Sequence, residues 1–248
     1  MAGSQEIIEI RALSNGHEFA EAVDLQRRIW NFADIELLPV RLFVVAHKVG
    51  GHAFGAYDGS RMVAFLLAIP GIKQGGLSYL HSHMLGVLPE YRDRGIGRML
   101  KLRQREDALE RGIELVEWTF DPLEIKNAFL NMERLGAIVR RYVENQYGTT
   151  SSPLHGGLPT DRCTAEWWVA SDRVKSILAG RPADHSSVEE RIEVPSEIAQ
   201  IRKSDPKCAR EIQKSIAAQF HRHLDSGLAV IGFERTEQAG VYLLGKLA

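Results

Sequence analysis

Residues 77–111 pass from an apolar strand, Leu77 to Val87, through a short basic loop with two glycines straight into a helix from about Ile96 to Arg111. A strand that hands over to a helix so abruptly buries both apolar sides only if the helix lies on a sheet face, so this stretch selects a layered α/β architecture. The handover recurs. Ile7 to Leu13 alternates as a strand, Ser14-Asn15-Gly16 turns and caps, and His17 to Trp30 has mostly helical apolar spacing. Pro39 suits the first turn of a short helix reaching Val49. His52 to Tyr57 and Met62 to Ile69 read as a hairpin around Asp58-Gly59-Ser60. Farther on, Leu115 to Phe120 predicts a strand, Glu124 to Leu135 a helix ended by Gly136, and Ala137 to Tyr147 another strand. Gly148 to Arg162 is an irregular loop holding His155, Asp161 and Arg162, which contribute to an acceptor pocket if the loop folds over one and are solvated otherwise. Cys163 to Ala170, with Trp167 and Trp168, closes the main sheet. A linker over 179–187 leads to a smaller unit: a strand at Arg191 to Val194, a helix from Asp205 to Leu224, and a hairpin of Leu228 to Phe233 with Val241 to Leu247. The expected division is a domain over 1–170 and a C-terminal extension over 171–248.

Composition excludes several function classes. Among 248 residues, 31 Lys and Arg stand against 32 Asp and Glu, a net charge of −1, so the basic excess that nucleic-acid partners attract is absent. No apolar run approaches the roughly 20 residues that span a bilayer. The opening Met-Ala-Gly-Ser-Gln-Glu has neither a basic nor an apolar signal region, and the cysteines are Cys163 and Cys208. The expectation is a cytoplasmic protein with reduced thiols.

The stretch Leu85-Gly86-Val87-Leu88-Pro89-Glu90-Tyr91-Arg92-Asp93-Arg94-Gly95-Ile96-Gly97-Arg98 carries the chemistry. A strand ends, a loop with two glycines offers successive backbone N–H groups, and a helix begins with its positive dipole end toward the loop. That is an anion cradle, and Arg92, Arg94 and Arg98 add charge suited to a pyrophosphate. The bland alternative is a tight strand-to-helix turn with surface arginines. The loop lacks the Gly-Lys-Ser/Thr ending of a P-loop and the three-glycine spacing of a dinucleotide fold.

The loop resembles the acyl-coenzyme A signature of the GNAT acyltransferase superfamily, Arg/Gln-x-x-Gly-x-Gly/Ala, here Arg92-Asp93-Arg94-Gly95-Ile96-Gly97. The order of elements around it is similar to that family's over roughly residues 5–170. The resemblance implies an α+β fold with a mixed, mostly antiparallel sheet flanked by helices, here followed by a small α/β extension that packs on it or mediates a homodimer. It implies that the backbone of Leu85 and Val87 pairs with the pantetheine arm of acetyl-CoA or another acyl-CoA. It further implies that Arg92, Asp93, Arg94, Gly95, Ile96, Gly97 and Arg98 hold the pyrophosphate and that Asn127 contacts the arm. The implied activity is transfer of an acetyl or other short acyl group to the primary amine of a small molecule, such as an amino acid derivative, with no metal. The alternative is a non-catalytic CoA-binding regulatory module.

His81 and His83, two apart on one strand, would face the same side. This His-x-His before the loop is similar to the arylalkylamine N-acetyltransferases, where two histidines help remove a proton from the amine. The chemistry suits histidine, since an ammonium must lose its proton before attacking a thioester. The alternatives are structural imidazoles, or a zinc pair, for which no third ligand is evident nearby. One departure from the family stands out. Met132 occupies the position, before the final Leu135-Gly136, where many members carry a Tyr that protonates the leaving thiolate. Tyr142, Tyr147 and water are the candidates left. Asp121 before Pro122 reads as a turn residue rather than an amine ligand.

Overall fold

A computed structural model describes residues 8–148 and 157–247. The chain divides into two compact units between Val116 and Glu117.

The first unit runs β1 (Ile8–Ala12), α1 (Gly16–Trp30), α2 (Val40–Lys48), β2 (His52–Asp58), β3 (Arg61–Ile72), β4 (Ser78–Val87) and α3 (Ile96–Glu110). Asn15 caps α1, its side chain accepting from the N–H groups of His17 and Glu18, which satisfies two donors that the helix leaves open. Strands β1 to β4 pair in sequence order, each antiparallel to the next. β2 and β3 are nearly continuous buried runs, because α1 and α2 cover one face and α3 the other. Phe65 meets Phe43 of α2 and Trp30 of α1, with ring centroids 6.0 and 5.7 Å away, and these rings anchor the first face. In the β3–β4 ladder Leu67 pairs with Met84 and Ala68 with Ser82, so His83 is an extra residue, a β-bulge.

The second unit contains most of β5 (Leu115–Phe120), then α4 (Ile125–Phe129), a π-helical turn (Leu130–Arg134), β6 (Ile138–Val143), β7 (Arg162–Trp168), α5 (Asp172–Leu178), β8 (Val188–Pro195), α6 (Ile198–Ser204), α7 (Pro206–Asp225), β9 (Ala229–Arg235) and β10 (Ala239–Gly245). Its strand order is β5-β7-β6-β9-β10-β8, and β6 pairs antiparallel with both β7 and β9. Trp167 packs edge-on against Trp118 and donates its indole N–H to Leu135 O at 2.6 Å. Tyr142, Phe220, Tyr242 and Phe233 form a second aromatic cluster.

The secondary structure differs from the sequence expectation in several places. The helix expected over 124–135 is one short α-helix followed by a π turn. The strand expected to reach Tyr147 ends at Val143, where Asn145, at φ 45°, turns the chain. The helix expected from Asp205 is preceded by a separate α6, and α5 was not foreseen. Residues 171–247 share a unit with 117–170 and are tied to it by side chains. Phe233 N donates to Glu133 Oε1 at 2.8 Å, Tyr242 Oη to Pro122 O at 2.7 Å, and Gln213 Nε2 to Pro159 O at 2.8 Å.

Candidate functional site

The site in the first unit is built where β4 ends and α3 begins. After Val87 a single 3-10 turn, Pro89–Tyr91, reverses the chain, and Asp93 (φ 60°) and Gly95 (φ 79°) both adopt the left-handed region. Glycine at 95 takes that φ without the strain that a Cβ would bring. No side chain caps α3, so the first-turn N–H groups stay open in front of the loop. Gly97 is different. A Cβ on Gly97 would meet only Leu85 Cδ2 at 3.4 Å and Val87 Cγ2 at 4.0 Å, ordinary contact distances. The fold therefore does not demand glycine at 97. The bare backbone keeps space open beside the ends of Leu85 and Val87, which suits a ligand passing close to it.

The loop is braced from behind. Tyr91 Oη donates to Asp58 Oδ2 at 2.6 Å, and the guanidinium groups of Arg94 and Arg61 lie 4.8 and 5.5 Å from the Tyr91 ring centroid. Glu90 accepts from Arg61 at 2.6 Å and lies 3.6 Å from Arg28. Arg92 donates to Val87 O at 3.3 Å and to Ile29 O at 3.5 Å, so it fixes the loop to β4 and α1 as well as adding charge. Arg94 is exposed and Arg98 half-buried on the first turn of α3. The residue set fits a pyrophosphate: open N–H groups, unblocked backbone and three arginines within the loop and the first helical turn.

His81 and His83 stand half-buried upstream on β4, ring centroids 5.8 Å apart. Burial holds the His83 imidazole below its ordinary value, so it is a neutral proton acceptor near pH 7. The bulge at His83 was not legible in the sequence.

The remaining candidates lie in the second unit. Asn127 is exposed on α4. Met132 is wholly buried in the π turn, and its neighbour Asn131, which sequence reasoning passed over, is 4% exposed with its amide Nδ2 lacking a hydrogen-bond partner. Tyr142 is buried and donates to Asp161 Oδ2 at 2.8 Å, and burial and that bond push its pKa far up. Tyr147 is half exposed, its hydroxyl 2.9 Å from Thr119 Oγ1. Asp161, a candidate for the acceptor pocket, is instead engaged in folding the chain: it accepts from Asn145 N as well as Tyr142. Arg162 lies over the Tyr147 ring at 5.5 Å. His155 falls outside the described residues. Asp121 is a turn residue, accepting from Leu123 N at 2.8 Å, and it is also paired with Arg202 of α6 at 2.7 Å. Arg202 bonds Glu124 at 3.0 Å in addition. Among the described residues no cluster of three or more His, Cys, Asp or Glu could hold a metal, and no helix is long and apolar enough to cross a membrane.

Comparison with known proteins agrees with this geometry. Residues 16–135 match the sequence model of the acetyltransferase (GNAT) family. The ribosomal-protein-S18-alanine N-acetyltransferase from Escherichia coli superposes with a TM-score of 0.52 at 18% identity, over 66% of this chain and 96% of that one. Arabidopsis thaliana NAA60 in complex with acetyl-CoA gives 0.52 at 16% identity, over 65% and 99%. The structure of yncA from Salmonella typhimurium with its cofactor acetyl-CoA gives 0.54 at 14% identity, over 66% and 95%. No curated protein matches the chain. The mixed α/β fold, with mostly antiparallel strands flanked by helices, is that of these structures, and the strand-to-helix loop over 85–98 lies wholly within the segment that is similar to the acetyltransferase (GNAT) family.

Proposed function

We propose that this protein transfers an acetyl or other short acyl group from acyl-CoA to the primary amine of a small molecule, such as an amino acid derivative. The observation that carries the reading is Gly97: nothing in the fold requires glycine there, and its bare backbone, in the open first turn of α3, lies beside the end of β4. Pyrophosphate oxygens accept from the first-turn N–H groups of α3, and Arg94 and Arg98 supply countercharge. His83, neutral because it is buried, accepts the proton that the substrate ammonium must lose, with His81 beside it. The free amine then attacks the thioester carbonyl, the C–N bond forms, the C–S bond breaks, the thiolate departs with the electron pair, and the amide nitrogen gives its surplus proton to water or to the departed thiolate. A thiol of pKa about 8.5 leaves without obligatory protonation, which removes the need for a tyrosine at Met132. Tyr142 is unsuited as a donor because its proton is committed to Asp161. Holding both reactants in one orientation supplies most of the acceleration.

The complete burial of Met132 favours a second reading, a CoA-binding module without catalysis. Calorimetric titration with acetyl-CoA, succinyl-CoA and free CoA tests the shared step. Saturable binding with discrimination among acyl groups is expected, followed by thiol release with a panel of small amines. Binding without thiol release would select the module, and no binding to any of the three ligands would defeat both readings.

A further inference from the structure

A chain of polar side chains runs along the sheet face that α3 covers, apart from the loop and the imidazoles. Lys101, on α3, is 4% exposed, and its Nζ donates to Ser82 Oγ at 2.8 Å and to Gln104 Oε1 at 3.1 Å. Gln104 is fully buried and brings Nε2 to 3.4 Å from His52 Nδ1, while His52 Nε2 lies 2.5 Å from Asp107 Oδ2. Arg111 joins Asp107 at 2.7 Å and closes the chain at the C-terminal end of the helix. An apolar side chain would fill the place of Lys101 with no amine to desolvate, so space-filling does not account for a lysine there.

What the lysine reaches is informative. Ser82 stands between His81 and His83, immediately before the bulge. Strand alternation turns Ser82 toward α3 and His81 to the opposite face. The hydrogen bond thus grips β4 from behind the imidazoles. Burial pushes the Lys101 amine well below its ordinary value, and an uncharged amine still donates to Ser82 Oγ.

We propose that Lys101 is a positioning residue, holding Ser82 and so fixing the bulged segment of β4 that aims His81 and His83 relative to the helix whose first turn forms the anion cradle. The proposal rests on the acyl-transfer reading. It goes further in making the placement of the imidazoles depend on a residue that contacts neither substrate.

Lys101→Met, Ser82→Ala and the double variant test it in the full chain. Each single variant is expected to lower kcat by about tenfold, because small misplacements of a proton acceptor are costly. The KM for acyl-CoA should stay within about twofold, since the loop residues are untouched. The double variant should lose no more than either single one, as expected when both substitutions delete one interaction. NMR titration of the histidine rings should show the His83 midpoint rising in both single variants, as the loosened strand lets water reach the ring. A kcat unchanged in both, losses that multiply, or an unmoved His83 midpoint would overturn the proposal. A parent protein that turns over no amine would defeat the acyl-transfer reading instead, and the His83 midpoint in the single variants then decides whether Lys101 positions β4. If Lys101→Met does not fold, Ser82→Ala alone decides, since it removes one oxygen and leaves the helix intact.

Discussion

Gly97→Glu separates folding from ligand binding, because it should move the two in opposite directions. The new Cβ meets Leu85 and Val87 at ordinary contact distances, so no clash opposes it. Residue 97 lies in the first turn of α3, where replacing glycine by a better helix former gains about 0.5 to 1 kcal/mol. A carboxylate in that turn gains a further 0.3 to 1 kcal/mol or so against the helix dipole. Scanning calorimetry should therefore show a melting temperature raised by about 2 to 5 °C. The same carboxylate occupies the anion's place and meets it with like charge, while one or two charge-assisted N–H bonds of about 1.5 to 3 kcal/mol each are lost. Titration with acetyl-CoA should show affinity reduced by about 100-fold or more. Retained binding would refute the assignment of the anion site to this turn. A lowered melting temperature would refute the claim that glycine at 97 serves the ligand rather than the fold.

Three further outcomes are expected. Arg202→Met removes one half of a largely buried ion pair with Asp121 and should cost about 3 to 5 kcal/mol in urea unfolding; a loss below about 1 kcal/mol would show the pair to be incidental. His52 is buried neutral with its pKa lowered from 6.5 to about 4, because burial outweighs the pull of Asp107. The unfolded chain therefore takes up the proton first, so stability is full above pH 6.5 and falls by roughly 3 kcal/mol as pH drops toward 4. Unfolding at pH 7 and at pH 4.5 measures the slope, and His52→Gln should flatten it. Asn131→Leu removes a buried amide whose Nδ2 has no hydrogen-bond partner and should stabilise by about 1 kcal/mol, or 2 to 4 °C; destabilisation would show that Nδ2 has a partner in solution.

The first unit was legible in the sequence because its signals are local. Asp58-Gly59 marks the β2–β3 turn, Pro39 precedes α2, and the glycine-flanked start of α3 falls at Ile96 as expected. The bulge at His83 was not legible, since an extra residue in one strand is defined by its partner's register and Leu67 and Ala68 carry no mark of it. The second unit hid more. A single π turn over 130–134 cannot be told from an α-helix by apolar spacing within one turn. For α5 the cap was present, Ser171 accepting from Val174 N, yet seven residues give too little periodicity to register. The engagement of Asp121 by Arg202 and of Tyr142 by Asp161 depends on chain segments 81 and 19 residues apart, which no spacing rule connects. The anion loop, by contrast, keeps its chemistry within fourteen consecutive residues, and it was read correctly as a strand-to-helix junction.

The pairing of β6 with β9 has a consequence for how copies of this chain meet one another. A strand with unpaired N–H and C=O groups at a sheet edge invites another chain to add to it. The chain's own β9 takes that place beside β6, and the free edge passes to β8. That strand exposes Glu189, Glu190 and Glu193 and ends at Pro195, which has no N–H to offer. Two copies joined antiparallel through β8 with Arg191 opposite Arg191 would also set Glu189 against Glu193, where like charges repel. The segment that completes the sheet thus also discourages its extension into a fibre.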